Sequence, residues 1–258
     1  MSSTLVSNIS ELVTNSNPDL GIINDAALVI EDGKVVWVGG AKSAPATDSK
    51  IDGCGGTVTP GFVDSHTHAV FAGDRSADYL ARMSGGSYSS GGINTTVHAT
   101  RNASIEELRI QTRRIVEQAR SSGTTTLEIK SGYGLDIATE KKILTVAREF
   151  TTETTFLGAH VVPKDAKSRD EYVNLVKGEM LDACVDLAKW IDVFCDSSAF
   201  TSRLTIVRSL KTARRSASSF VKSSPTSLRN VSACCFPSMR TKASGSKHSF
   251  PQIPSRIA

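Results

Sequence analysis

The chain has 258 residues, 39% hydrophobic and 22% charged, with a formal net charge of +4. That is the balance of a soluble globular protein with room for one large domain or two smaller ones. No stretch approaches the 18 apolar residues of a membrane span, and the N-terminus lacks the basic-then-apolar order of a secretory signal, so a cytoplasmic protein with no membrane partner is expected.

Five cysteines without zinc-ribbon spacing, including the adjacent Cys234 and Cys235, fit free thiols in a reducing compartment. The net charge hides an asymmetry. All 26 acidic residues lie before position 203, against 19 Lys/Arg there, a balance of −7; residues 203–258 hold 11 Lys/Arg and no acid.

Residues 1–59 read as a small β unit. Ala27 to Ile30, the turn pair Asp32-Gly33, and Val35 to Val38 predict a hairpin. Gly53, Gly55 and Gly56 follow without opening a helix, which argues against a phosphate cradle. From residue 60 the pattern becomes strand and helix in alternation. Gly61 to Ser65, entered through Pro60, predicts a buried strand. Residues 67 to 103 form a long connection rich in Gly, Ser and Thr, the profile of a functional loop.

Ser104 to Arg120 predicts a helix opened by a Ser104/Glu107 capping box, and Thr124 to Lys130 a β-branched strand. Ala138 to Phe150 is a predicted helix and Thr155 to His160 a strand. Ser168 to Leu187 is a predicted helix with Ser168/Glu171 at its start, and Trp190 to Cys195 a strand. Strands separated by helices imply a parallel sheet. A (β/α)8 barrel needs eight such units, and residues 60–202 carry half of one.

The ends of the predicted strands hold the candidate chemistry. His66 and His68 close the first strand, where alternation points both the same way, and neutral imidazole is a common ligand for divalent metals. Asp64 lies two residues before, as a ligand or a partner to one. Lys130 with Ser131-Gly-Tyr133-Gly ends the second strand, Gly158-Ala-His160 the third, and Cys195-Asp196 the fourth. In a parallel barrel these ends share one face, where active sites form.

His160 suits a proton donor, a metal ligand or a buried structural role. Arg75 suits a substrate carboxylate through a two-pronged contact. Tyr133, between two glycines, would lie over a pocket. For Lys130 a structural ion pair is favoured over a modified, metal-bridging lysine. A catalytic zinc takes three protein ligands and a water, so two histidines leave the set short.

Together PGFVDSHTHAVFAGDR (60–75), GGINTTVHATRNAS (91–104), GTTTLEIKSGYGLD (123–136), TFLGAHVVP (155–163) and IDVFCDSSAF (191–200) resemble the imidazolonepropionase family of the amidohydrolase superfamily, from about residue 20 to residue 200. The resemblance implies a zinc- or iron-dependent hydrolase in a (β/α)8 barrel flanked by a β-sandwich, of which residues 1–59 would be part. Such an enzyme opens the ring of 4-imidazolone-5-propionate to N-formimidoyl-glutamate in histidine degradation. It makes His66 and His68 metal ligands, gives Arg75 the propionate carboxylate, and puts Tyr133 and His160 in contact with substrate, His160 as the catalytic group. A homodimer is implied for the intact fold.

The family also carries a later metal-binding His, in a His-Ala-Asp-Glu context, and a later Asp. Residues 203–258, with 13 serines, match neither. That segment reads as a frameshifted or disordered tail, and this chain by itself is expected to bind metal weakly and turn over little. Two rival readings are a noncatalytic nucleic-acid or acidic-partner binder acting through the basic tail, and a related amidohydrolase such as a nucleobase deaminase. The tail has three Phe and no Tyr or Trp, few rings to stack on bases, which weighs against nucleic acid.

Overall fold

The computed structural model describes residues 2–17, 19–84, 91–194 and 200. Two four-stranded sheets organise them. The first comprises β1 (Ser3–Val13), β2 (Ile22–Glu31), β3 (Lys34–Gly40) and β4 (Ser49–Val58), in the order β3-β2-β1-β4. The expected hairpin is β2–β3, turning at Asp32 and Gly33. β1 lies antiparallel to β2 and parallel to β4.

The buried residues Leu5, Ile9 and Leu12 of β1 are spaced four and three apart, as on a helix. A bulge between Val6 and Ile9, with Asn8 at φ 56°, switches the alternation, so that Leu5 buries against Ala27 and Val29 while Ile9 and Leu12 bury against Ala26 and Leu28 on the other face. The glycine cluster of β4 faces this bulge. A Cβ on Gly53 would sit 2.9 Å from the Ser7 carbonyl and 3.0 Å from that of Asn8, so the cluster serves strand pairing.

The second sheet is parallel and runs in chain order: β5 (Phe62–Thr67), β6 (Thr124–Lys130), β7 (Thr154–Ala159) and β8 (Trp190–Val193). Its helices are α1 (Ser76–Met83), α2 (Gly91–Asn102), α3 (Ile105–Ser121), α4 (Ile137–Ala147), α5 (Arg169–Lys177) and α6 (Glu179–Cys184). Leu127 and Ile129 of β6 pack with Leu108 and Val116 of α3 and Ile143 and Val146 of α4. Phe156 and Val193 pack with Tyr172, Val176, Met180 and Leu181. The outward residues of the strands thus bury against helices, which is the outer half of a barrel wall.

The helix starts follow from local chemistry. Ser104 and Glu107 form the reciprocal capping box of α3, Asp136 accepts the Thr139 N–H at the head of α4, and the Ser168 hydroxyl accepts the Glu171 N–H at the head of α5.

Three expectations are corrected. The strand ending at His66 and His68 is exposed, not buried, with Phe62 59% and Val63 67% accessible. β5 is the edge of its sheet, paired only with β6 among the described strands. The connection from 67 to 103 holds two helices, α1 and α2. Asp74 takes the Ser76 N–H at 2.8 Å and its hydroxyl at 2.7 Å, and the Thr96 hydroxyl bonds the Gly92 carbonyl one turn back, so these polar side chains serve helical backbone.

The single helix expected over 168–187 breaks at Gly178 (φ −106°, ψ −111°) into α5 and α6. Cys195, Asp196, Cys234, Cys235, His248 and the whole of 203–258 lie outside the described residues. No described helix is long and apolar enough to cross a membrane.

Candidate active site

Because β5 to β8 are parallel, the loops after them leave from one edge of the sheet. Four of the five side chains singled out from the sequence meet there. The His66 and His68 rings are 5.6 Å apart, and His68 stacks on His160 at 4.9 Å with an interplanar angle of 8°. The Tyr133 ring packs 4.8 Å from His68 and 5.5 Å from His160. Phe194, just beyond β8, stands edge-on to His160 at 5.7 Å. Arg75, the fifth, is half-buried on the loop leaving β5, and its carbonyl receives the Tyr79 N–H of α1. His98 is exposed on α2 and hydrogen-bonded by Asn102.

A bulge between Asp64 and Thr67 interrupts the pairing of β5 with β6. The strict alternation that would put Asp64 on the face of the histidines therefore does not run through this stretch. Asp64 instead turns its carboxylate back to accept the His66 backbone N–H at 3.2 Å.

Burial dominates the electrostatics of the cluster. It drives the His68 pKa from 6.5 down to about 3, with the charges of His160, His66 and Lys130 acting in the same direction and donation to the Ser131 backbone carbonyl opposing. His160 is lowered too, first by burial. Both are therefore neutral imidazoles at pH 7, the form that offers a lone pair. His68 Nδ1 is a buried polar atom with no hydrogen-bond partner among the described residues. A carbonyl can only accept, so the 2.9 Å contact between His160 Nδ1 and the Gly132 oxygen puts the proton on Nδ1 and leaves Nε2 with its lone pair free for an incoming group.

Gly132 makes that contact possible. Its φ is +110°, and a Cβ there would lie 2.8 Å from the Leu157 carbonyl and 2.9 Å from His160 Nδ1. The loop 131–135 owes its shape to Glu140, a residue the sequence reading missed. This carboxylate is wholly buried and accepts N–H groups from Gly132 (2.9 Å), Gly134 (2.8 Å) and Leu135 (2.8 Å). Burial raises its pKa, while the Ser131 hydroxyl and the three backbone donors pull the other way. A signal was present, an acid in the first turn of a helix just after a glycine-rich loop full of unpaired N–H donors, but acids are ordinary at that position.

From the other side, Arg101 Nε donates to the Gly134 carbonyl at 2.7 Å, and its guanidinium pairs with Asp136 and Asp165 at 2.9 and 2.7 Å.

Deeper along the inner face, Lys130 pairs with Glu128 at 2.6 Å and Asp192 at 3.1 Å. It is the structural cation favoured from the sequence. These groups line an open cavity of about 320 Å³ together with Thr126, Thr155 and Trp190. Among the described residues no group of three or more His, Cys, Asp or Glu side chains is arranged to hold a metal ion.

Comparison with known proteins agrees with this architecture. No family model matches the chain. Among curated proteins it is similar to the imidazolonepropionases of Mycolicibacterium smegmatis (53% identical over 205 residues, 78% of this chain and 52% of that protein) and Salinispora tropica (54% over 204 residues, 78% and 52%). A third is that of Streptomyces coelicolor (54% over 205 residues, 77% and 52%). The chain spans about half the length of the curated relatives it matches.

Among solved structures the fold is similar to a triazine hydrolase variant (TM-score 0.55, 14% identity, 84% of this chain and 51% of that chain). It is also similar to the atrazine chlorohydrolase of Arthrobacter aurescens TC1, solved with zinc (0.51, 14%, 83% and 51%). Escherichia coli guanine deaminase matches at the same level (0.50, 15%, 82% and 51%). The likeness is one of fold, covering about half of each of those chains, and the four parallel strands here correspond to half of a barrel, as expected from the sequence.

Proposed function

From its imidazolonepropionase-family sequence, which extends over 78% of its length, we propose that this chain carries the first half of the active site of a ring-opening hydrolase acting on 4-imidazolone-5-propionate. The observation that carries the reading is the ring cluster. Two strand-end histidines, a third oriented by the Gly132 carbonyl and a tyrosine converge at the C-terminal ends of parallel strands.

His66 and His68 would hold one divalent ion, zinc or iron. The donor chemistry fits: a buried ring nitrogen of His68 lacks a partner among the described residues, and burial keeps that ring neutral. When bound, such an ion supplies Lewis-acid activation for hydrolysis of a cyclic amide. The rest falls to side chains. His160 Nε2 faces the substrate with a lone pair fixed by the Nδ1 contact to Gly132, so it can take a proton from the water that adds to the ring carbonyl and return it to the departing nitrogen as the C–N bond opens. Tyr133 forms a wall against the flat heterocycle. Arg75 pairs with the propionate carboxylate. Two histidines make a weak metal site, so this chain alone turns over little.

The test is calorimetric titration of the zinc-loaded chain with imidazole propionate, a substrate-like carboxylate. Binding should weaken at least about tenfold in Arg75→Ala, the size of one lost charge-assisted hydrogen bond. Affinity unchanged in both Arg75→Ala and His160→Asn would sink the assignment. Preferential binding of guanine would favour a deaminase instead.

A further inference from the structure

We infer that Glu140 is a positioning residue that aligns His160 through the Gly132 carbonyl. The inference rests on the reading of His160 as a substrate-facing group. The Gly132 carbonyl belongs to the peptide joining residues 132 and 133. Glu140 holds the peptides on both sides of it. Its carboxylate takes the Gly132 N–H of the peptide before at 2.9 Å and the Gly134 N–H of the peptide after at 2.8 Å, and adds the Leu135 N–H at 2.8 Å. The gripped peptide therefore has little freedom to rotate, and its carbonyl stays directed at His160 Nδ1, 2.9 Å away.

The same grip sets Tyr133, whose Cα lies between the two held peptides and whose ring packs on both His68 and His160. Arg101 reaches the loop from outside, through the Gly134 carbonyl and through Asp136 at the head of α4, and touches neither the Gly132 nor the Leu135 N–H. A buried carboxylate facing four donors is a costly arrangement to keep in a core that could be apolar. Here its return is a fixed tautomer and orientation of His160, much as a partner to the second nitrogen of a histidine sets what the first one does.

The experiment uses the full chain labelled with 15N-histidine, with the His160 ring assigned by its absence in His160→Asn. Glu140→Gln should speed exchange of the His160 Nδ1 proton by about tenfold or more, the factor that one net hydrogen bond represents, and turn a single Nδ1–H tautomer into a mixture. Ile143→Val, a buried change one turn along the same helix that leaves the Glu140 carboxylate in place, should leave the ring signal as in the parent. A wild-type His160 signal in folded Glu140→Gln, or equal loss in Ile143→Val, would overturn the inference.

Should Glu140→Gln fail to fold, Arg101→Gln decides. Retention of the His160 signal there supports Glu140 as the aligning group, and its loss transfers the role to Arg101. The readout needs neither metal nor substrate. An intact His160 bond in a chain that binds no imidazole propionate would thus count against the proposed chemistry and leave the alignment standing.

Discussion

Replacing Lys130 by Met should destabilise the parallel sheet by about 2–3 kcal/mol. The Lys130 side chain is 2% exposed and bridges Glu128 of its own strand to Asp192 of β8, two strands away. Removing one member of a buried ion pair costs roughly 3–5 kcal/mol, because the remaining charges are left uncompensated. Two features reduce that here. Glu128 keeps the Thr155 hydroxyl as a donor, and the open cavity of about 320 Å³ beside both carboxylates admits water.

In urea, with a slope of roughly 1–3 kcal/mol per molar, the midpoint should fall by about 1 M. Trp190 lies in β8 and Trp37 in the other sheet, so fluorescence in a Trp37→Phe background reads the parallel sheet. Adding Asp192→Asn should recover part of the loss, since it removes one of the two stranded carboxylates. An unchanged midpoint in Lys130→Met, or a double variant no more stable than the single, would refute the reasoning.

Other expectations follow from the same geometry. The His68 pKa is depressed in the folded state, so below pH 6.5 the unfolded chain binds a proton that the folded chain refuses. The stability present above pH 6.5 is lost as pH falls toward 3, by about 2 kcal/mol between pH 7 and 5 at roughly 1.4 kcal/mol per unit. His160 acts in the same direction, and His68→Asn should flatten the dependence of the urea midpoint on pH. Gly132→Ala forces a side chain into the left-handed region 2.8 Å from a carbonyl, and should cost about 2 kcal/mol or more and loosen the His160 ring in the same 15N spectrum. Ser104→Ala deletes the cap of α3 and should lower the urea midpoint by an amount worth about 1 kcal/mol, with the ring cluster untouched.

What the sequence determined by itself were features written in a few neighbouring residues. The hairpin at Asp32-Gly33, the strand Thr124–Lys130 and the Ser104/Glu107 box stand in the structure as expected, because turn and cap chemistry act over two to four residues. His66, His68, Tyr133 and His160 were legible for the same reason, since each ends a recognisable strand and a parallel sheet brings strand ends together.

Tertiary structure decided the rest. The spacing of Leu5, Ile9 and Leu12 is helical on paper, and only pairing on both sides of β1, with its bulge at Asn8, makes it a strand. Phe62 and Val63 look like core, yet their exposure depends on whether another strand lies alongside β5, which local pattern cannot report. The bond of the Asp64 carboxylate to the His66 backbone N–H, beside a bulge in the pairing with β6, is likewise a product of the folded strand. Glu140 reads as an ordinary first-turn acid until the loop folds back over it. Its role depends on where three N–H groups point, and that direction is a property of the folded loop, not of the composition of its residues.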